Sequence, residues 1–327
     1  MRTLEIVHRT RYMYAEPVTL NDYRLMFRPR DSHDLRLLHT NLAIEPAAAV
    51  RWIHDPFGNS IAIASFAPEP VQALELVSTI RVEHFSVAPE LPTIEDYARK
   101  LPFSYLAEEA PDLARYVERH YPDPNAMVSN WTRQFLDAGD DATDTFAVLV
   151  RMCKGIQEQL TYAMRFEVGT QPPAVTLENG GGTCRDYALL MIEAARSLGL
   201  AARFITGYLY DPALDGAEDI TASTAYPHAW TEVYLPGAGW IEFDPTNGII
   251  GSDRLIRIAV ARDPEQAMPI KGSFTGTAGV AIEALVDVHV RTIEPAPKAI
   301  VEAEPAPTQD AAAAPEEPPA KQAASAA

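Results

Sequence analysis

The stretch that most constrains this chain is Gly180-Gly181-Gly182-Thr183-Cys184-Arg185-Asp186-Tyr187, which runs into an apolar segment ending near Leu198. Three successive glycines favour neither helix nor strand and allow tight backbone geometry. Thr183 followed three residues later by Asp186 matches the helix-start pattern Ser/Thr-x-x-Asp/Glu, which predicts Thr183 as the N-cap and Cys184 as the first helical residue. Leu189, Ile192, Ala195 and Arg196 continue at helical spacing, with Leu190, Ala194 and Leu198 widening the apolar stripe and Gly199 as the stop. A thiol on the first helical residue meets unpaired N–H groups and the positive end of the helix dipole, which favour thiolate, the nucleophilic form. The glycines are expected to leave room for a substrate chain beside the sulfur. A cysteine on an apolar helix is more often a core residue, so the rest of the chain has to separate the two readings.

At 327 residues the chain is long enough for two ordinary domains. A hydrophobic fraction of 47% with 22% charged residues belongs to a soluble globular protein. No apolar run reaches the length of a membrane span. Met1-Arg2-Thr3-Leu4-Glu5-Ile6-Val7-His8-Arg9 carries charges where a signal peptide needs an apolar core, so a cytoplasmic location is expected. Cys153 and Cys184 cannot make a disulfide framework and are too few for a structural zinc site. A net charge of −18 argues against nucleic acid or an anionic membrane as the main partner. No acidic run has calcium-loop spacing, so no cofactor and no metal are expected.

The expected fold class is α+β in three parts. Residues 1–86 read as an N-terminal antiparallel β-sandwich. Leu4, Ile6, His8, Thr10 and Tyr12 alternate at strand period, and Leu20–Arg30, Arg36–Glu45, Val50–His54, Ser60–Phe66 and Ala73–His84 follow at short spacing. Asp55-Pro56-Phe57-Gly58-Asn59 is turn chemistry. Arg24, Arg28, Arg30 and Arg36 read as a solvated strand face rather than a binding stripe. Residues 87–292 form the second part, with a proline-cut helical lead-in and a stronger helix over Thr145–Leu160 whose apolar face includes Cys153 as a core residue. Strands are expected at Ala201–Leu209, His228–Leu235, Trp240–Asp244, Leu255–Ala261 and Val280–Val290, with Asp211–Ala222 as an acidic flap on the substrate side. Residues 293–327 are Ala- and Pro-rich without an aromatic residue and read as disordered. There is no internal repeat.

A cysteine nucleophile needs a base, and the base needs a group that orients it. After Cys184, histidine occurs only at positions 228 and 289. His228 opens one arm of a hairpin and Asp244 ends the other. Register then makes a demand. A four-residue turn over Pro236-Gly237-Ala238-Gly239 pairs Leu235 with Trp240 and puts Asp244 on the face opposite His228. A three-residue turn or a bulge pairs Trp230 with Asp244, and His228 and Asp244 become diagonal neighbours on one face. A triad therefore requires the shortened or bulged hairpin.

Gly181-Gly182-Thr183-Cys184-Arg185-Asp186, His228-Ala229-Trp230-Thr231-Glu232-Val233 and Gly239-Trp240-Ile241-Glu242-Phe243-Asp244-Pro245-Thr246, in that order, resemble the transglutaminase-like superfamily. More narrowly they resemble its bacterial cysteine-peptidase type with an N-terminal β-sandwich domain. Tyr12-Met13-Tyr14, Arg28-Pro29-Arg30 and Asp55-Pro56-Phe57-Gly58-Asn59 resemble the N-terminal domain of those proteins, and Lys271-Gly272-Ser273-Phe274-Thr275-Gly276 their C-terminal part. The likeness covers about residues 1–292. It implies a papain-like second domain, a cysteine helix packed on an antiparallel sheet, with Cys184 as nucleophile, His228 as base and Asp244 as its orienter. It also implies an aromatic oxyanion donor upstream, for which Tyr162 is the best match, beside the Cys184 backbone N–H. Gly182, Asp186 and Trp230 are the substrate-rim candidates. Where this chain has Ala261-Arg262-Asp263-Pro264, relatives carry a glycine first and an aromatic residue after the aspartate, a departure expected to bear on the substrate rim.

These readings converge on thiol-dependent acyl transfer through a Cys-His-Asp triad, acting on a peptide or carboxamide bond of a peptide or protein substrate and tilted to hydrolysis. With an amine as acceptor the same residues make a protein-glutamine gamma-glutamyltransferase. The rival from another class is a binding or assembly module that keeps the fold without turnover. The N-terminal sandwich leaves room for a protein partner or a homo-oligomer.

Overall fold

Strand β1 (Arg2–Leu20) organises the N-terminal half of the chain. In the computed structural model the described residues are 2–85, 91–137, 143–163, 165, 169–212, 225–251 and 254–293. Leu4, Ile6, His8 and Thr10 of β1 are buried while Arg9 and Arg11 are exposed, the alternation that its sequence predicts. Five strands follow: β2 (Tyr23–Arg28), β3 (Leu35–Glu45), β4 (Ala48–His54), β5 (Ser60–Phe66) and β6 (Val71–His84). β6 lies antiparallel on β1 from Arg2 against His84 to Met13 against Ala73, and its other edge takes β3. β2, β5 and β4 make a second antiparallel sheet. Tyr14, Leu25, Phe27, Ala62, Leu74 and Leu76 join the two sheets in one core, so the region is a sandwich. The turn from β4 to β5 is held by Asp55, whose Oδ1 accepts from the Phe57 N–H (2.9 Å) and the Asn59 N–H (2.8 Å).

The second half begins with helices α1 (Ala110–Val117), α2 (Met127–Arg133) and α3 (Thr145–Gln159). α3 is capped by the Asp144 carboxylate, which accepts from the Ala147 N–H at 2.7 Å. Leu149, Cys153 and Ile156 of the expected apolar face are buried, Phe146 and Val150 only partly so, and Val148 and Met152 complete the buried side. Next come a two-residue strand β7 (Thr161–Tyr162), helix α4 (Pro173–Glu178), a second short strand β8 (Gly181–Gly182) parallel to β7, and helix α5 (Cys184–Ser197). α5 is buried from Asp186 to Arg196 on every side, not along one stripe. Helices α2, α3 and α4 cover one side and the sheet covers the other. It ends where predicted: the Leu200 N–H reaches Ala195 O (3.1 Å), the Gly199 N–H reaches Arg196 O (3.0 Å), and Gly199 takes φ +80°.

The sheet under α5 is antiparallel, in the order β12 (Ile249–Ile250), β11 (Gly239–Asp244), β10 (Ala225–Leu235), β9 (Ala202–Tyr210) and β13 (Leu255–Ala261). β10 and β11 pair Leu235 with Gly239 and Thr231 with Phe243. Only Pro236, Gly237 and Ala238 lie in the turn, so the hairpin is the shortened one. Most of the acidic stretch expected as a flap, residues 213–224, lies outside the described residues.

The chain then returns to the sandwich. β14 (Ile270–Lys271) pairs with β2, β15 (Phe274–Thr275) with the end of β1, and β16 (Ile282–Thr292) runs along β1 from Tyr14 to Leu4. Strands that the sequence groups with residues 87–292 therefore complete the sheets of the first 86 residues, because β1 has a second edge to satisfy. Asn59 ties the sandwich to β13 in both directions: its amide donates to Val260 O (2.6 Å) and its Oδ1 accepts from the Val260 N–H (3.0 Å). No helix among the described residues is long and apolar enough to cross a membrane. Of the expected tail, residues 294–327 lie outside the described residues.

Candidate active site

The N-terminus of α5 is held by one buried carboxylate. Asp186 is fully buried and accepts five hydrogen bonds. Thr183 supplies its N–H (2.8 Å) and its hydroxyl (2.9 Å). Gln171 supplies its N–H (2.8 Å), and the Arg165 guanidinium supplies Nε (2.9 Å) and Nη2 (3.0 Å). Burial alone would raise the Asp186 pKa, but Arg165 and these N–H groups outweigh it and hold the carboxyl below its ordinary range. Gln171 also donates from its amide to Gly181 O at 3.0 Å. This cage fixes β8 against α5, and so fixes where the next residue, Cys184, points.

Cys184 is half-buried. Its sulfur neighbours the His228 ring and the Tyr162 hydroxyl closely enough to raise the pKa of both. His228 is buried near the start of β10 and its Nε2 donates to Asp244 Oδ2 at 2.9 Å. With Nε2 engaged there, Nδ1 is the nitrogen left for the thiol. Asp244 is fully buried and its carboxylate is pinned from the following turn by the Asn247 amide (2.7 Å) and the Thr246 N–H (3.0 Å). Burial disfavours charge on His228, yet its bonds to Asp244 and Cys184 prevail and push its pKa up to about 10. Burial likewise opposes charge on Asp244, and the His228 bond and charge overcome it to lower that pKa. The pair favours an imidazolium beside a carboxylate, which can serve as the proton donor and its orienter in nucleophilic chemistry.

The three predicted triad residues and Tyr162 are thus brought together. The sheet register explains His228 and Asp244: extending the Thr231–Phe243 pairing by one residue sets Trp230 opposite Asp244. Tyr162 stands half-exposed on β7, its ring edge-on to Tyr187 at 6.2 Å. Burial raises its pKa and the neighbouring Cys184 raises it further, so its hydroxyl stays protonated.

The rim candidates are elsewhere. Asp186 is sealed in the cage described above. Trp230 is fully buried, stacked on His228 at 6.0 Å and 27°, with its indole N–H donating to Glu242 Oε1 (3.2 Å). Gly182 is buried, and a Cβ there would meet Asp186 Cβ and Gln171 Nε2 at 2.8 Å. At Gly181 a Cβ would meet Thr161 O at 2.3 Å. The glycines therefore let β7 and the carboxylate cage close on the backbone and do not hold space open for substrate. Ala261-Arg262-Asp263 is also displaced from the rim: the Arg262 carbonyl accepts from Arg196 at 2.9 Å, at the far end of α5. Cys153 is a core thiol whose pKa burial pushes up. Sequence reading missed Arg165, Gln171 and Asn247. Asn247, in a turn just after an aspartate, carried a signal in its chemistry, whereas Arg165 is one isolated residue in an irregular segment.

Among the described residues no three His, Cys, Asp or Glu side chains are grouped to hold a metal ion. A cleft of about 970 Å³ between the Arg30–Asp34 turn and the β10–β11 hairpin is lined by none of Cys184, His228 or Asp244.

Comparison with known proteins agrees with this fold. Residues 129–245 match the core of the transglutaminase-like superfamily, and residues 4–83 match the bacterial transglutaminase-like N-terminal region. The Rv2569c protein of Mycobacterium tuberculosis is 27% identical over 299 residues, covering 86% of this chain and 91% of that protein. The ML0607 protein of Mycobacterium leprae is 21% identical over 304 residues, covering 88% and 99%. Among solved structures, a candidate cysteine protease from Cytophaga hutchinsonii shares the fold, with a TM-score of 0.67 and 17% identity over 90% of this chain and 92% of that one. With its core and its N-terminal region both matched, this chain belongs to the transglutaminase-like superfamily.

Proposed function

We propose that the protein is a thiol-dependent acyl-transfer enzyme that hydrolyses a peptide or carboxamide bond through Cys184, His228 and Asp244. The observation that carries this reading is the 2.9 Å hydrogen bond from His228 to the buried Asp244 carboxylate, with Cys184 beside the same imidazole and helping to raise its pKa. In the proposed cycle the Cys184 thiolate attacks the carbonyl carbon, forming a C–S bond as the carbonyl electron pair moves to oxygen. The Cys184 N–H, unpaired at the first turn of α5, and the Tyr162 hydroxyl are the oxyanion donors. Collapse expels the amine, which takes its proton from the His228 imidazolium. His228, now neutral, removes a proton from water, whose attack releases the acid and restores the thiolate.

An amine in place of water yields a new amide, and the three residues serve both acceptors alike. The test uses casein as a general glutamine-bearing substrate, with and without a fluorescent primary amine, on the wild type and on Cys184→Ala. Hydrolysis products that vanish in Cys184→Ala support the proposal, and incorporated fluorescence in their place supports the transferase alternative. Timed iodoacetamide labelling of Cys184 supplies the reading that needs no substrate. Slow labelling, equal in the wild type and in His228→Ala, would overturn catalysis and favour a binding module.

A further inference from the structure

Arg185 is a cation that no carboxylate neutralises among the described residues. It follows Cys184 on the first turn of α5 and is half-buried. The Arg165 guanidinium, from the segment before α4, is committed to Asp186, and the buried Arg196 at the other end of the helix to Glu193. Arg185 makes no hydrogen bond and no ion pair among the described residues. Its charge nevertheless acts on the Tyr162 hydroxyl, the group that reaches the Cys184 sulfur. The site's carboxylates among the described residues are both spent: Asp186 on Arg165 and Asp244 on His228. Among the described residues the groups around the sulfur therefore leave one positive charge unmatched, on a chain whose net charge is −18.

We infer that Arg185 is a specificity-determining residue that holds a substrate carboxylate close to the reacting carbonyl, so that the enzyme takes acidic peptides or carboxamides. This rests on the acyl-transfer reading above. Leaving an arginine half-buried and unpaired costs solvation that a ligand carboxylate returns, and its planar fork suits a carboxylate. The acidic body opposes such a substrate only at long range. Its field is screened over about 8 Å in physiological salt, whereas Arg185 would act at contact. The field of the body therefore sets how fast an acidic substrate arrives, and Arg185 sets whether it stays.

Two alkylating reagents that differ in charge test this without a known substrate. In each, the thiolate sulfur displaces iodide from a methylene carbon; iodoacetate carries a carboxylate beside that carbon and iodoacetamide a neutral amide. The readout is the ratio of the two labelling rates at Cys184, measured by peptide mass spectrometry at low salt. The ratio is expected to fall about two- to fivefold in Arg185→Gln, the worth of a partly exposed charge pair. It should be restored in Arg185→Lys, and added salt should erase the difference. An unchanged ratio in Arg185→Gln, with Cys184 still labelling quickly, would overturn the Arg185 assignment alone. Slow labelling by both reagents in the wild type would overturn the catalytic reading beneath it.

Discussion

The two ends of helix α5 bury charge in similar amounts and use it in opposite ways. At the C-terminal end Arg196 and Glu193 are both fully enclosed and bonded at 2.9 Å. Arg196 also donates to the carbonyls of Tyr116 (2.9 Å), Ala202 (3.1 Å) and Arg262 (2.9 Å), while His120 Nδ1 meets Asp263 at 2.9 Å. Every hand of that guanidinium is taken, so the end is an anchor. At the N-terminal end Asp186 is spent in the same fashion, but Cys184, Arg185 and the Tyr162 hydroxyl stay available. A buried ion pair adds little net stability, yet removing one member leaves an uncompensated charge. The contrast separates charge that fixes a helix from charge left free to act on a ligand.

The largest expected effect breaks the reactive end. His228→Ala should slow alkylation of Cys184 by about 10²- to 10⁴-fold, the usual worth of a positioned acid–base partner, while Cys153 stays unlabelled in the folded protein. At the anchored end, Glu193→Ala should cost about 3–5 kcal/mol in urea denaturation by stranding Arg196. Tyr162→Phe should lower turnover by about 10²-fold with no change in melting temperature, if the hydroxyl of this half-exposed ring is the oxyanion donor proposed above. Gly199→Ala should cost only about 1 kcal/mol, the penalty of a side chain at positive φ, and should leave the alkylation rate alone.

The pH dependence distinguishes the ends as well. His228 has a raised pKa, so the stability it contributes is complete below its ordinary value of 6.5 and is lost as the pH climbs through about 10. Asp244 is lowered, so its contribution is present above 3.8 and disappears as the pH falls through its folded value. Asp244→Asn removes the negative partner. An NMR titration of the His228 ring should then show its midpoint moving down from about 10, and an unmoved midpoint would mean that Asp244 does not govern the charge on His228.

Much of this molecule was legible in short windows of sequence. Thr183 and Asp186 fixed the start of α5 because a capping box is local chemistry, and Gly199 fixed its end because one residue needed positive φ. The alternation in β1 declared a half-buried strand. The hairpin could be posed as a choice of turn, and the three-residue turn was the one that permits a His228–Asp244 pair. Which residues would be rim and which support was not legible. Asp186, Gly182 and Trp230 stand beside the catalytic motif in sequence, but neighbours on a helix or strand point in different directions.

By itself, then, the sequence determined many of the elements and their caps, since these follow from propensity, period and side-chain chemistry over a few positions, while the choice of Cys184, His228 and Asp244 rested on the resemblance of three ordered motifs to a family. Only the tertiary structure decided that β16 would lie along β1 nearly the whole chain away, that Arg165 would find Asp186, and that Arg185 would have no partner among the described residues. Those outcomes depend on which surfaces meet when the core closes, and pairing across such separations leaves no trace in any local window.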